Sequence, residues 1–397
     1  MLRYMTAGES HGPCLTSILS GMPAGLAVDE AAINEDLRRR QGGYGRGGRM
    51  SIEKDAVRFG SGIRHGKTLG SPITIVIENR DWTNWELIMS ARAEDATDQR
   101  AITRPRPGHA DLPGVLKFDQ KDARNVLERA SARETSSRVA IGAICKQLLA
   151  EFGIEVFSHV AVLGGIRANL EGTNWAQIRE RAEASATRCA DPEATKKQVA
   201  LIDQMKKEGD TLGGVLEIVA TNLPVGLGTC MNWDEKLDGR LAQSLMSIQA
   251  IKGVEIGLGF EGTNRPGSKV HDEIFHSKKV GDAPDGHGPS GGFYRKTNGA
   301  GGLEGSMTNG EPLVVRMAMK PISTLMRSIQ SVDFVSKEAF DAAKERSDVC
   351  AVPAAGVVGE ASVAFILAQA LLEKFGGDSL SEVRRNYETY CKYLEEF

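Results

Sequence analysis

The chain has 397 residues, of which 41% are hydrophobic and 25% are charged, and its formal net charge at pH 7 is −3. These values are typical of a globular protein and exclude the strongly basic field of a nucleic-acid-binding domain. The six cysteines show no CxxC spacing, no apolar run approaches the ~20 residues of a membrane span, and the N-terminus does not resemble a signal peptide. We therefore expect a cytoplasmic protein with reduced thiols and no membrane contact.

No linker or repeat divides the chain. Capping residues and apolar periodicity predict four helices, at about 29–39, 121–153, 236–251 and 354–375. Asp29 is the expected N-cap of the first helix. The fourth is apolar almost all round, which predicts burial on several sides. The charged region 175–208 is predicted to be helical and exposed to solvent. We expect the whole chain, residues 1–397, to form one domain.

Runs of β-branched residues predict strands at 73–77, 156–163, 214–221, 254–260 and 313–319. Strands and helices alternate only loosely, without the steady βαβ rhythm of a doubly wound fold. The pattern therefore predicts an α+β fold in which central helices are covered by antiparallel sheets. Residues 278–302 form a long, polar, glycine-rich loop in this interpretation.

Residues 38–49 read RRRQGGYGRGGR, with five arginines and five glycines in twelve positions. Arginine presents a planar fork of donors to phosphate or carboxylate, and glycine lets the backbone approach a ligand closely. The block therefore predicts a cationic cradle for an anion. Nucleic-acid-binding RGG arms are repeated within disordered tracts. This block occurs once, between a capped helix and an amphipathic segment, so a small polyanion is favoured over a nucleic acid.

Two histidines have the surroundings of an acid or a base. His11 lies in GESHG and His109 in RPRPGHAD, each in a glycine-containing loop beside charged residues. An imidazole that a ligand can reach titrates near neutral pH and can transfer a proton. By contrast, the five-residue spacing of His271 and His276 does not put two ligands on one helix face, so we expect no metal site.

Arg129 and Arg133 are four residues apart in the second predicted helix, so they would share one face beside short side chains. A ligand could approach the helix closely there. The alternative is a solvated face on which the two arginines pair with Glu128 and Glu134.

Ten motifs, taken in order, resemble the chorismate synthase family over nearly the whole chain. They are GESHGP at 8–13, RRRQGGYGRGGRM at 38–50, RPGHAD at 106–111, SARET at 131–135, GDTLGG at 209–214, PVGLG at 224–228, KGVEIGLGF at 252–260, MTNG at 307–310, MKPISTL at 319–325 and ERSD at 345–348.

The resemblance implies a fold and a reaction. The family fold is a β-α-β sandwich with long helices between two antiparallel sheets, assembled as a homotetramer. Its members convert 5-enolpyruvylshikimate 3-phosphate to chorismate by a 1,4-anti elimination of phosphate, the last step of the shikimate pathway. The reaction requires reduced FMN but has no net redox change. No reductase domain is evident, so we expect an external flavin reductant, although NADPH-dependent reduction by the enzyme itself stays open.

The resemblance also implies roles for individual residues. His11 would give a proton to the departing phosphate, His109 would set the protonation of the flavin near N1, and Asp348 would act through flavin N5. Substrate contact is implied for Ser10, Arg40, Arg46, Arg49, Arg106, Arg133 and Arg346. Flavin contact is implied for Arg129, Ala130, Ser131, Gln249, Ala250, Gly305, Lys320, Pro321, Ile322, Ser323, Thr324 and Arg346. The three catalytic residues argue against a relative that only binds flavin.

Three positions depart from the family pattern. Ala130 stands where serine is common, Gln249 where asparagine is common, and Ser306 where a second glycine often follows Gly305. All three belong to the expected flavin region, where backbone contacts would survive the changes. The loop at 278–302 is longer than in shorter relatives, and it could be a lid over the flavin or a mobile surface loop.

Overall fold

The computed structural model describes residues 1–47, 54–279, 281–327, 329–341 and 348–397. The strands are β1 (Arg3–Ala7), β2 (Cys14–Ser20), β3 (Val57–Ser61), β4 (Ile63–Arg64), β5 (Lys67–Thr68), β6 (Ile73–Glu78), β7 (Glu155–Leu163), β8 (Ile166–Arg167), β9 (Gly214–Thr221), β10 (Ile251–Ile256), β11 (Ile274–His276), β12 (Phe293–Arg295), β13 (Leu303–Glu304), β14 (Met307–Thr308), β15 (Leu313–Met319), β16 (Gln330–Val332) and β17 (Ala339–Asp341). The α-helices are α1 (Glu30–Gln41), α2 (Asp111–Lys117), α3 (Arg124–Ala130), α4 (Thr135–Ala150), α5 (Trp175–Ala184), α6 (Pro192–Glu208), α7 (Leu237–Met246), α8 (Val352–Phe375) and α9 (Leu380–Glu396).

Two antiparallel sheets form the outer layers. The first has the strand order β1-β2-β6-β3 and the second β10-β15-β9-β7-β8. Side chains alternate along each strand, so in β6 the residues Ile73, Ile75 and Ile77 are all buried on one face. Because each sheet has one apolar face, each must be covered by another layer.

The covering layer consists of helices, chiefly α4 and α8. Helix α4 packs on β2 and β6 of the first sheet, and α8 packs on β7 and β9 of the second. The two helices approach closely at Gly142, where an added Cβ would lie 2.3 Å from the Cβ of Ala361. Helix α8 is long and apolar enough to span a membrane, but 89% of its most apolar window is buried, as in a core helix. The structure is thus the α+β sandwich that the sequence predicts.

A buried charge interrupts the apolar helix α8. The carboxylate of Glu360 accepts hydrogen bonds from Arg39 at 2.9 and 3.0 Å, from Lys146 at 2.6 Å and from Arg188 at 3.0 Å. The Ser158 hydroxyl donates to it at 2.7 Å. Burial alone would raise the pKa of Glu360, but the surrounding cations hold it well below its usual value.

Several predicted elements are confirmed. Asp29 caps α1 by accepting hydrogen bonds from the backbone N–H groups of Ala31 and Ala32. Helix α8 ends at Phe375 before a glycine pair, and the region 175–208 contains α5 and α6. Strands β6, β7, β9 and β15 match their predicted ranges to within a residue.

The prediction of a single helix at 121–153 is wrong. Ser131 is extended, with φ −64° and ψ 142°, and it separates α3 from a short 3₁₀ turn that leads into α4. The Ser131 hydroxyl accepts a hydrogen bond from the backbone of Arg133. Arg129 and Arg133 therefore do not share a helix face, and neither pairs with Glu128 or Glu134 through a hydrogen bond that the structure describes.

Two boundaries also differ from prediction, and several elements were missed. The third helix ends at Met246 rather than near 251, because the chain already begins β10 at Ile251. The strand predicted at 254–260 ends at Ile256, and a 3₁₀ helix follows at Gly259–Asn264. The sequence did not predict β1, β2 or α9, whose signals are short or mixed in polarity.

The glycine-rich loop at 278–302 is anchored beside the end of β9 and the start of β15. Backbone hydrogen bonds join Asn222 to Gly286, Val225 to Pro289, and Gly288 to Gly310 at 2.8–2.9 Å. Lys320 lies beyond the other end of β15, about 20 Å along the strand. Within one chain, the described part of this loop therefore does not cover the predicted flavin segment at 320–324.

Candidate active site

His11 is held by a carboxylate from a distant part of the chain. Its Nδ1 lies 2.9 Å from both carboxylate oxygens of Glu128, and its backbone N–H donates to the same carboxylate. Arg124, one turn earlier on α3, donates to Glu128 at 2.9 Å. Burial would raise the pKa of Glu128, but the hydrogen bonds and charges of His11 and Arg124 lower it. Glu128 is thus an ionised acceptor that fixes which nitrogen of His11 carries a proton toward it.

The loop that carries His11 is clamped on both sides. The Asn79 side chain donates to the carbonyls of Ser10 and Gly12 at 3.1 and 3.0 Å. The backbone N–H of Ser10 donates to the carbonyl of Glu128 at 3.0 Å. Ser10 is itself almost fully buried. These bonds hold the imidazole in one place relative to α3.

His109 has the same kind of support. Its Nδ1 lies 2.6 Å from Asp111, which also accepts two hydrogen bonds from the Arg106 guanidinium at 2.9 and 3.0 Å. Burial would raise the pKa of Asp111, but the bonds to His109 and Arg106 hold it well below its usual range. Asp111 begins α2, which packs on α3. The two predicted catalytic histidines are therefore supported by neighbouring helices.

Arg40 and Arg133 meet at a buried carboxylate that the sequence did not single out. The Arg133 guanidinium donates to both oxygens of Asp55, at 2.7 and 2.6 Å, and Arg40 lies 3.8 Å from the same carboxylate. Arg40 also donates to the Thr135 hydroxyl and to the carbonyl of Ala132. These bonds hold the first part of the arginine/glycine block against the start of α4.

Arg46 lies at a second acid. Its guanidinium is 2.7 Å from Asp348, which also accepts a hydrogen bond from the backbone of Gly47 at 2.6 Å. The structure therefore brings together a predicted substrate arginine and a predicted catalytic carboxylate. Arg49 and Arg346, also predicted to bind substrate, lie outside the described residues.

A polar cavity of about 380 Å³ lies beside the end of α3. It is lined by Tyr4, Met5, Thr6, Arg129, Glu134, Arg138 and Gln249. Arg129 reaches across it to the hydroxyl of Thr6 at 2.7 Å. Gln249 donates to Glu134 at 3.4 Å, while its buried Oε1 accepts no hydrogen bond from the residues that the structure describes. The size is in the range of small-ligand sites.

The segment at 320–324 joins this cavity to His109. The Lys320 backbone donates to the carbonyl of Ala250 at 3.0 Å, and its ammonium donates to the carbonyl of Gly108 at 2.6 Å. Gly108 has φ +78°, and a Cβ there would lie 3.3 Å from the Lys320 ammonium and 3.5 Å from Ser323. A positive φ and close neighbours both favour glycine at this position. The remaining predicted flavin residues of this segment are Pro321, Ile322 and Thr324.

Gly305 is not brought to the other predicted flavin residues within one chain. It lies in the β13–β14 turn, where the next carbonyl, of Ser306, accepts a hydrogen bond from Leu237 at the start of α7. Ala250 follows the far end of that helix, whose ten residues span about 15 Å. Ala130 and Ser131, by contrast, lie at the end of α3 next to Arg129.

The described residues thus gather the two histidines and most predicted arginines around α3. The sequence did not indicate the acids that hold them, namely Asp55, Asp111 and Glu128, and it also did not indicate Asn79. Asp111 falls inside a quoted motif, so it could have been found. Glu128 lies 117 residues from His11, and Asp55 lies 78 residues from Arg133, so no local signal connects them.

Comparison with known proteins gives a consistent assignment. The family model described as chorismate synthase matches residues 2–372. Proteins named chorismate synthase from Geobacter metallireducens and Syntrophotalea carbinolica are each 58% identical, and the alignments cover 100% of this chain and 100% and 99% of theirs. A solved structure titled "Crystal Structure of Chorismate Synthase" is 44% identical with a TM-score of 0.79, and covers 100% of this chain and 99% of that one. This chain therefore belongs to the chorismate synthase family and is a lyase.

Proposed function

We propose that this protein eliminates phosphate from 5-enolpyruvylshikimate 3-phosphate to give chorismate, in a reaction that requires reduced FMN and has no net redox change. The observation that carries the proposal is the convergence, around α3, of arginine side chains with two histidines that are each held by a carboxylate. A substrate with two carboxylates and a phosphate requires such a concentration of fixed positive charge.

Four described arginines are the proposed substrate ligands: Arg40, Arg46, Arg106 and Arg133. Each already lies within 4 Å of an acid, so its orientation is fixed before substrate arrives. Ser10 and, by their motifs, Arg49 and Arg346 complete the proposed set.

The histidines are the proposed proton-transfer groups. His11 would release a proton from its ring to an oxygen of the departing phosphate, while Glu128 keeps Nδ1 occupied. His109 would hold a proton beside the flavin, supported by Asp111 in the same way. Asp348 is the proposed third catalytic residue. General acid–base groups contribute roughly 10²–10⁴ to a rate.

The residues of the α3 cavity fit a flavin in chemical character. Arg129 in the cavity and Lys320 in the adjoining segment provide cations, and the buried Oε1 of Gln249 is an acceptor available to a ring N–H. Backbone groups at Ala130, Ser131 and Ala250 and in the segment 320–324 are the other proposed contacts, and Gly305 is not among them within one chain. When bound, the reduced flavin would supply electron density for the elimination.

We also propose a cytoplasmic homotetramer that uses an external flavin reductant. The support comes from the motif resemblance and from a composition typical of a globular protein. Whether the chain itself reduces flavin with NADPH can be read from NADPH consumption in the presence of oxidised FMN alone.

Anaerobic turnover tests the proposal. Protein with dithionite-reduced FMN and 5-enolpyruvylshikimate 3-phosphate should release phosphate and form chorismate in equal amounts. Oxidised FMN is the control and should give no product. Absence of chorismate with reduced FMN would reject the proposed reaction. In the same assay, Arg46→Ala should chiefly raise KM, because it removes a proposed substrate cation, and it should also lower kcat, because Arg46 contacts the proposed catalytic carboxylate of Asp348 at 2.7 Å.

A further inference from the structure

Trp85 contacts the imidazole of His11 face to face. The ring centroids are 3.9 Å apart and the ring planes differ by 28°. The indole is itself fixed, because its Nε1 donates to Asp81 at 2.9 Å. No sequence motif points to this tryptophan, which lies in the irregular segment after β6.

Two arginines also lie over the same indole. The guanidinium carbons of Arg100 and Arg124 are 4.3 and 5.0 Å from its centroid. Arg100 has φ +60°, an uncommon conformation for this residue type, and its carbonyl accepts a hydrogen bond from Arg124 Nε at 2.9 Å. A strained backbone that is held by its surroundings is typical of functional sites.

The charged groups around His11 come from three elements. Glu128 and Arg124 belong to α3, Asp81 and Arg100 flank Trp85 in the segment after β6, and Glu9 lies on the histidine's own loop. The three carboxylates Glu9, Asp81 and Glu128 outnumber the two guanidiniums of Arg100 and Arg124 by one charge, so a single proton on the imidazole would balance this group. The negative face of an indole stabilises a cation placed against it.

We propose that Trp85 is a positioning residue for His11, whose indole face keeps the imidazole in one orientation and favours its cationic form. Glu128 occupies Nδ1 and Trp85 covers one face of the ring. Nε2 then is the nitrogen left for a ligand, since it has no hydrogen bond to any residue that the structure describes. The catalytic part of this inference rests on the proposed function. In that reaction the Nε2–H bond of the His11 imidazolium breaks as an oxygen of the departing phosphate takes the proton, which leaves a neutral imidazole.

The titration of His11 in the flavin-free protein tests this directly. Long-range ¹H–¹⁵N spectra of ¹⁵N-histidine-labelled protein would follow both ring nitrogens, with His11→Gln used to assign the signals. Trp85→Leu should lower the midpoint by roughly half a pH unit or more, while Trp85→Phe, which keeps an aromatic face, should lower it less.

Trp175→Leu is the matched control, because Trp175 packs on Phe157 in a separate small cluster, and should leave the midpoint unchanged. An unchanged midpoint in folded Trp85→Leu would overturn the proposal.

A second measurement covers the case in which Trp85→Leu does not fold. Replacing all four tryptophans by 5,7-difluorotryptophan weakens the negative ring face with little change of shape. The His11 midpoint should again fall, and an unchanged midpoint would reject the proposal.

Turnover separates this inference from the proposed function. With reduced FMN and substrate, the pH at which kcat declines on the alkaline side of its profile should be lower in Trp85→Leu than in the wild type. The difference in pH units should equal the shift of the His11 midpoint. A shifted midpoint in an enzyme whose wild type gives no chorismate would reject the proposed function but leave the pairing of Trp85 with His11 intact. A shifted midpoint with an unmoved kcat limb would reject the catalytic part of the inference.

Discussion

Both histidines of the site have the same three-residue arrangement. A carboxylate contacts Nδ1 and also binds an arginine: Glu128 with Arg124 for His11, and Asp111 with Arg106 for His109. The arginine keeps the acid ionised in a largely buried place, and the acid fixes the ring nitrogen that it contacts. The opposite nitrogen of each ring is then set for proton transfer.

Asp111→Asn tests this arrangement at His109. An amide cannot offset the charge of a protonated imidazole, and it can also select the wrong tautomer, so kcat should fall by roughly 10²-fold, within the range that general acid–base catalysis contributes. The measurement is anaerobic steady-state turnover with saturating reduced FMN. Asp119→Asn is the control, because Asp119 is exposed with φ +50°, a conformation that asparagine also accepts. Equal losses in both variants, or none at Asp111, would contradict the assigned role.

Among the secondary-structure elements, the sequence correctly predicted those whose formation depends mainly on residues close by in the chain. Asp29 and the apolar run ending at Phe375 were sufficient for α1 and α8, because caps and periodicity lie in the sequence itself. The break at Ser131 was not predictable, since it turns Arg133 toward Asp55, 78 residues away. The same reason explains why the motifs indicated His11 and His109 while Glu128 and Trp85 required the folded chain.

Gly142→Ala tests the contact between α4 and α8. An added Cβ would lie 2.3 Å from the Cβ and 2.4 Å from the Cα of Ala361, so one helix must move. The free energy of unfolding should fall by about 2 kcal/mol or more, despite the helix propensity gained, as urea titration followed by circular dichroism would measure. Gly239→Ala is the matched control in α7, where nothing lies within 4 Å, and should stabilise by up to about 1 kcal/mol. A Gly142→Ala protein as stable as this control would show that the helices are not closely packed there.

In the molecule as a whole, Glu360 and the three cations around it connect helices whose relative orientation apolar packing alone does not determine. Arg39 comes from α1, Lys146 from α4, and Arg188 from the link between α5 and α6, and all three meet one carboxylate on α8. Arg39 is adjacent to Arg40, which contacts the acid shared with Arg133. A buried ion cluster adds little net stability compared with apolar packing, but it specifies one arrangement of the helices that carry the substrate arginines.

Glu360→Gln should therefore destabilise the protein strongly at neutral pH, by about 3–5 kcal/mol, because three cations lose their buried counter-charge. The pKa of Glu360 is depressed in the folded state, so its contribution to stability is complete above the unfolded pKa of about 4.3 and is lost as pH falls through the folded value. The difference between wild type and variant should hence be largest at pH 7 and shrink in acid. Urea titrations at pH 7, 4 and 3 would measure it, because the loss is expected only below the unfolded pKa. Glu35→Gln, which removes an exposed carboxylate paired with Arg38, should cost less than about 1 kcal/mol at pH 7. A difference for Glu360→Gln that grew toward acid pH would mean that the carboxyl is protonated in the folded protein and that the cations are held by other groups.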